Sequence, residues 1–479
     1  MRRMSKFVTV ALLCLLFSVG GNEIVAAEDS KRDVEQVSGG EWIRIARPEL
    51  VETSKKVLAK PDIPLRAEES IIRIRALELD WDIAALVYEP VDASKIPTGA
   101  DGKKVGILVL HGGSGDHMSK DRFSRFLTSK FGFKVVNMSY PGRLNLQDPS
   151  RNWPGDTIRA DGTVRTPIWK RDGVITPDQY EVVKDQEDSR RRRWGTLTLA
   201  CAKEGTEFYN RMAGWPVAFE EGGREMLRQH LPEEEYSIYA HGHSTGGPFA
   251  MMLSQRVTNI RGIVGMESSP FGSLYGQMTR EIQGISEPWG MDFNCLRIRS
   301  WRDTARYYGF ELIQEEGVKA LERLAMVMEE VHESWERGTK RPQFKAENII
   351  HFDNTAAMAS AAKATARRLK LSSRETEALV ARYIGYLREV SGKDAKPVPP
   401  LILIITKNSR DHAPEIYRNV YLPRYAAMNP APKFRVYQFD AGIHGYSAPE
   451  AGLPSGVAPV GVQLWYDAIV GGFYTDAGR

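Results

Sequence analysis

The chain has 479 residues, 42% of them apolar and 26% charged, which is the balance of a packed globular protein and excludes a disordered one. Its 65 basic and 61 acidic residues leave a net charge of +4, too small an excess for a dedicated nucleic-acid binder. Three cysteines exclude a disulfide scaffold, and no Cys/His spacing suggests a metal site.

Arg2, Arg3 and Lys6 precede an apolar stretch from Phe7 to Val19, and Val25-Ala26-Ala27 fits a small-residue cleavage site. Residues 1–27 are therefore expected to be a signal peptide, and the mature chain to be secreted or periplasmic. The apolar run is too short for a membrane span. Leu13 before Cys14 does not fit a lipid-attachment box. After cleavage only Cys201 and Cys295 remain, as one disulfide or as two free thiols. Residues 28–64 are polar and read as a loosely attached leader.

A first core segment spans 65–145. Ile71–Leu79 and Ile83–Pro90 read as an opening hairpin. Val105–Leu110 is a continuous apolar run, as a central parallel strand should be, and it ends in His111-Gly112-Gly113-Ser114-Gly115-Asp116. Such a turn fits one wall of an oxyanion hole, with the amide of Gly113, or that of Ser114, as donor. Lys134–Tyr140 is the next strand. Residues 146–230 form an insertion in which Arg190–Arg193 is read as a solvated helix face paired with Glu187 and Asp188. Its alternative is a cationic rim for an anionic substrate, with Trp153, Trp169 and Trp194 as flat surfaces.

The second core segment, 231–272, holds the strongest signal. Tyr236–Ala240 reads as a short buried strand and Pro248–Val257 as a helix, and Gly242-His243-Ser244-Thr245-Gly246 lies between them. A serine on that sharp turn projects its hydroxyl above the sheet, and the glycines let the backbone turn without clashes. His243 is expected to pack beneath the turn or to line the pocket. His117 reads as a surface histidine, with a place at the site entrance as the alternative.

A second insertion, 273–395, reads as mostly helical. Leu321, Leu324, Met328, Val331 and Trp335 form one stripe, and Ser372 to Glu375 resembles a capping box opening a helix to about Val390. The last core segment, 396–479, begins with the apolar strand Pro400–Ile405 and the loop carrying Asp411. Phe434–Phe439 follows and leads to His444. Glu267, at the end of the run Gly262–Glu267, is the rival acid, and Asp440 is a further carboxylate near His444. His412 stands too close along the chain to Asp411 to serve as its partner base.

With these motifs in chain order, the sequence resembles the α/β-hydrolase superfamily, in its esterase and lipase branch. The resemblance covers roughly residues 65–145, 232–272 and 396–479 and implies a mostly parallel sheet flanked by helices, with a helical cap. It implies a triad of Ser244, Asp411 and His444, and an oxyanion hole of the Gly113 and Thr245 amides. In that scheme His444 takes the serine proton and returns it to the leaving group, and Asp411 holds the imidazole. The expected activity is hydrolysis of a small-molecule or lipid-like carboxylic ester without cofactor or metal. A peptidase or amidase with the same triad and a silent binding protein are the alternatives.

Overall fold

The structure is a computed structural model that describes residues 32–37, 39–76, 78–112, 117–118, 120–142, 168–174, 176–184, 198–203, 205–243, 246–254, 259–267, 295–297, 362–363, 365–367, 369–391, 398–407, 417–418, 430–442 and 459–475, with the single positions 257, 359, 414, 422 and 426. Asp33–Arg479 forms one compact unit; of the separate unit Met1–Arg32 only Arg32 is described. The elements in chain order are β1 (Asp33–Val37), β2 (Gly40–Ile45), α1 (Arg47–Leu58), β3 (Leu65–Ala76), β4 (Leu79–Pro90), β5 (Lys104–Leu110), α2 (Asp121–Phe131) and β6 (Lys134–Met138). Next come β7 (Ile168–Lys170), β8 (Gly173–Val174), β9 (Tyr180–Lys184), β10 (Thr198–Ala202), α3 (Glu207–His230), β11 (Tyr236–His243), α4 (Gly246–Ser254) and β12 (Ile260–Met266). The last are β13 (Cys295–Arg297), α5 (Ser373–Ser391), β14 (Leu401–Thr406), β15 (Phe434–Phe439) and α6 (Pro459–Val470).

Ten strands form the main sheet in the order β1-β2-β15-β14-β12-β11-β5-β6-β4-β3. From β2 to β6 every neighbouring pair is parallel, and antiparallel pairs close both edges. The strands from β3 to β15 in this sheet, ranked by their order along the chain, read 1-2-4-3-5-6-7-8 across it. The inner strands are mostly buried and largely apolar because both faces are covered. Alternate residues of β5 show this: Val105, Ile107 and Val109 join a core with Phe123, Leu127, Trp465 and Ile469 of α2 and α6. On the opposite face, Gly106 lies against Leu231, just beyond α3.

Two expectations need correction. The predicted polar leader is part of the fold. β2 pairs with β15 along its whole length, Trp42 is fully buried, and α1 places Leu50 and Val57 in the core. The predicted insertion at 146–230 ends in α3, which packs on β3 and β4 as a core helix. Arg211 anchors it from a fully buried position, donating to the Asp80 carbonyl at 2.8 Å, with its guanidinium 4.9 Å from the Trp81 ring. Trp169 is likewise buried, edge-on to Trp81 at 5.3 Å, and is not a free surface.

The capping box on α5 is formed: Ser372 Oγ donates to Glu375 Oε2 at 2.6 Å, and the Ser372 amide donates to the same oxygen at 2.8 Å. Arg382 of α5 also pairs with Glu78 at the tip of the β3–β4 hairpin. The stripe at 321–335 and the Arg190–Arg193 cluster lie outside the described residues. Among the described residues no helix is long and apolar enough to cross a membrane.

Candidate active site

Open parallel sheets carry their sites at the carboxyl ends of the strands. β5, β11, β12, β14 and β15 are contiguous, and their ends are level: Gly242 pairs with Leu110, His243 with Met266, Met266 with Ile404, and Thr406 with Phe439. Ser244, Thr245, Gly113, Ser114, Asp411, His412 and His444 lie outside the described residues, but the chain on either side of each loop is placed. The Asp411 strand is two strand spacings from the serine strand, and the His444 strand is three. At about 4.8 Å per spacing these are roughly 10 and 14 Å. Asp411 and His444 each stand five residues beyond the last strand residue. Five residues reach up to about 17 Å, so both loops are long enough to turn back over β11.

The turn at 244–245 is short. β11 runs through His243 and α4 begins at Gly246, so only two residues connect strand to helix. Two glycines make this possible. A Cβ on Gly242 would collide with the backbone of Gly246 and Gly247, and one on Gly246 with the Leu110 carbonyl and its neighbour, the His111 carbonyl. The second contact seats the start of α4 against the end of β5, where the His111-Gly112 turn departs. The start of α4 and the end of β5 are therefore adjacent. The amides opening α4 also carry the positive end of the helix dipole. The strand order and the helices covering the sheet decide the architecture. The fold is that of the α/β hydrolases.

If Ser244 is the nucleophile, Gly246→Ala should lower kcat/KM by at least about 100-fold, because a displacement near 1 Å at a reacting centre costs that much. Activity within a factor of two of wild type, measured on soluble folded variant, would contradict this placement.

Aromatic rings pack around His111 and the start of α4. Tyr140 donates its hydroxyl to the His111 carbonyl at 2.6 Å, and its ring lies 4.4 Å from the His111 ring at a tilt of 51°. Phe249 of α4 lies 4.7 Å from Tyr140 and 5.4 Å from Phe219 of α3. On the other face of β11, His241 packs 4.7 Å from Phe123 and 6.0 Å from Trp465. His243, two residues on and therefore on that same face, has Nδ1 at 2.9 Å from Lys120 Nζ. An ammonium donating there leaves the proton of a neutral His243 ring on Nε2. Burial pulls the Lys120 ammonium down to about 8. The sequence reading missed Lys120, and nothing in its surroundings distinguishes it from an ordinary lysine before a helix. His117 is a correction: it is 1% exposed, bonds Glu69 of β3 at 2.8 Å, and accepts Asn137 Nδ2 on its carbonyl at 2.6 Å. It fastens the loop after β5 to the sheet and is not a surface histidine.

Burial, and then the nearby Lys120 charge, hold His241 down at about 3. The unfolded chain binds this proton near pH 6.5, so its contribution is complete above about 6.5 and lost progressively as pH falls toward 3. Across that window it should cost up to about 1.4 kcal/mol per pH unit. Urea melts of wild type and His241→Gln at pH 7 and 4.5 should show the larger acid loss in wild type; equal losses would contradict the assignment.

Glu267 caps β12. It is fully buried, its Oε1 accepts the backbone N–H of Thr406 at the end of β14, and its φ is +45°. A glutamate in the left-handed region is uncommon and persists only where its surroundings hold it. Asp440 is half exposed and pairs with Lys407 at 2.7 Å, joining the bases of the loops that carry Asp411 and His444.

No family model matches the chain, and no curated protein matches it in sequence. Among solved structures it is similar to a thermostable esterase from Pseudomonas putida, at 12% identity and a TM-score of 0.34, over 88% of this chain and 89% of that one. It is similar to a Pyrococcus furiosus esterase at 11% identity and a TM-score of 0.30, over 79% and 84% of the two chains. An acetyl xylan esterase from Thermoanaerobacterium is similar at 11% identity and a TM-score of 0.30, over 83% and 88%.

Proposed function

We propose that the chain is a serine hydrolase that cleaves a carboxylic ester through an acyl-enzyme. The start of α4 at Gly246, two residues beyond the end of β11 and seated against the end of β5, supports this reading. A serine hydroxyl is a weak nucleophile until a base takes its proton during attack. His444 is that base, and Asp411 orients the imidazole and stabilises its cation. The Ser244 oxygen adds to the ester carbonyl, and the oxyanion forms against the Gly113 and Thr245 amides, each worth on the order of 3 kcal/mol in the transition state. His444 then protonates the departing alcohol. Water, deprotonated by the same imidazole, releases the acid and restores Ser244. Residues 273–395 serve as a cap that excludes water and shapes the pocket. The chain acts outside the cytoplasm after loss of residues 1–27.

The test combines a fluorophosphonate probe with a panel of p-nitrophenyl esters and aminoacyl amides. One label should be found on Ser244, with ester turnover well above amide turnover. Preferential amide cleavage would make the enzyme a peptidase or amidase, and a folded protein that takes no label would make it a binding protein.

A further inference from the structure

Cys201 and Cys295 are 94 positions apart in sequence and are the only cysteines beyond residue 27. The structure makes them partners. β10 and β13 run antiparallel, with Leu199 opposite Arg297, Ala200 opposite Leu296, and Cys201 opposite Cys295. Directly opposed residues of an antiparallel pair share one face of the sheet, with Cα atoms about 4.5–5.5 Å apart. A disulfide needs roughly 4.4–6.8 Å. The same pair of strands continues to β9, so the two cysteines belong to a three-stranded sheet separate from the main one.

We propose that Cys201 and Cys295 form a cross-strand disulfide that staples the segment following β12 to the segment preceding α3. The proposal is independent of the hydrolase reading. Its oxidant is an external disulfide, either small-molecule or that of a thiol–disulfide oxidoreductase. One cysteine thiolate attacks that disulfide, forming a mixed disulfide and releasing one thiolate of the oxidant. The other cysteine thiolate then attacks its partner's sulfur, forming the Sγ–Sγ bond and releasing the second oxidant thiolate. Two electrons pass to the oxidant, and the two protons lost by the cysteines end on its thiols.

The closed loop contains α3, β11, the serine turn, α4 and β12. A crosslink around so long a loop restricts the unfolded chain far more than the folded one. The bond therefore stabilises the portion of the chain that carries the proposed nucleophile.

The experiment treats the folded full-length chain with excess oxidised glutathione, quenches in acid, alkylates free thiols and maps peptides without reduction. The expected result is a crosslinked peptide containing Cys201 and Cys295, lighter by two hydrogens than the two reduced peptides together. Glutathione adducts on both cysteines, free alkylation of both, or a bond to Cys14 would each overturn the proposal. In a second measurement the oxidised protein should melt several degrees lower after reduction, whereas Cys201→Ser/Cys295→Ser should melt alike with and without reductant. An unchanged melt of wild type on reduction would overturn the stapling role even if the crosslink is found.

Discussion

Ser244→Ala should reduce ester turnover by about 10⁴- to 10⁶-fold while leaving the melt and far-UV spectrum unchanged. The alanine removes one oxygen and leaves Gly242 and Gly246, whose lack of a Cβ lets α4 start against the ends of β5 and β11. Residues that act as one unit are strongly non-additive. His444→Ala should therefore cost a similar factor, and the double variant little more than either single one. Steady-state kinetics on an activated ester, at saturating concentration, reads all three. Two independent losses that multiply in the double variant would show that the serine and the histidine do not share one proton relay. An undiminished rate in Ser244→Ala would remove the nucleophile altogether.

Much of the sheet was legible in the sequence because it rests on local signals. Runs such as Val105–Leu110 and Pro400–Ile405 are apolar at every position, which only a strand covered on both faces requires. They appear as β5 and β14 within one residue at each end. The change from strand to helix between β11 and α4 was legible because its glycines answer a steric demand made within five residues.

What was not legible depends on distant chain. β2 alternates Trp42 with Glu41 and Ile43 with Arg44, and its partner β15 lies nearly the whole chain away, so the segment looks merely polar. Gly222 and Gly223 argue against a helix by propensity. They stand within α3 because a Cβ would strike Ile83 of β4 at the first and Leu253 of α4 at the second. Lys120 and His117 take their roles from contacts with His243 and Glu69, more than 40 residues away in each case.

The acid of the proposed triad has two candidates, and substitution of the two carboxylates separates them. Asp411→Asn should lower kcat by about 10⁴-fold, since an amide at that place favours the wrong imidazole tautomer without disturbing the fold. Glu267→Gln should retain activity within about tenfold. The reason lies in what Glu267 already does: its Oε1 accepts the Thr406 amide, and the Oε1 of a glutamine accepts the same bond. That bond ties the end of β12 to the end of β14, from which the Asp411 loop departs, so on the proposed triad Glu267 is a positioning residue for the acid. Glu267→Ala, which loses the acceptor, should therefore cost more than Glu267→Gln in both melting temperature and kcat. The opposite pattern, with Asp411→Asn fully active and Glu267→Gln down by about 10⁴, would transfer the acid to the end of β12. The positive φ at Glu267 would then be read as strain held for catalysis rather than for joining two strand ends.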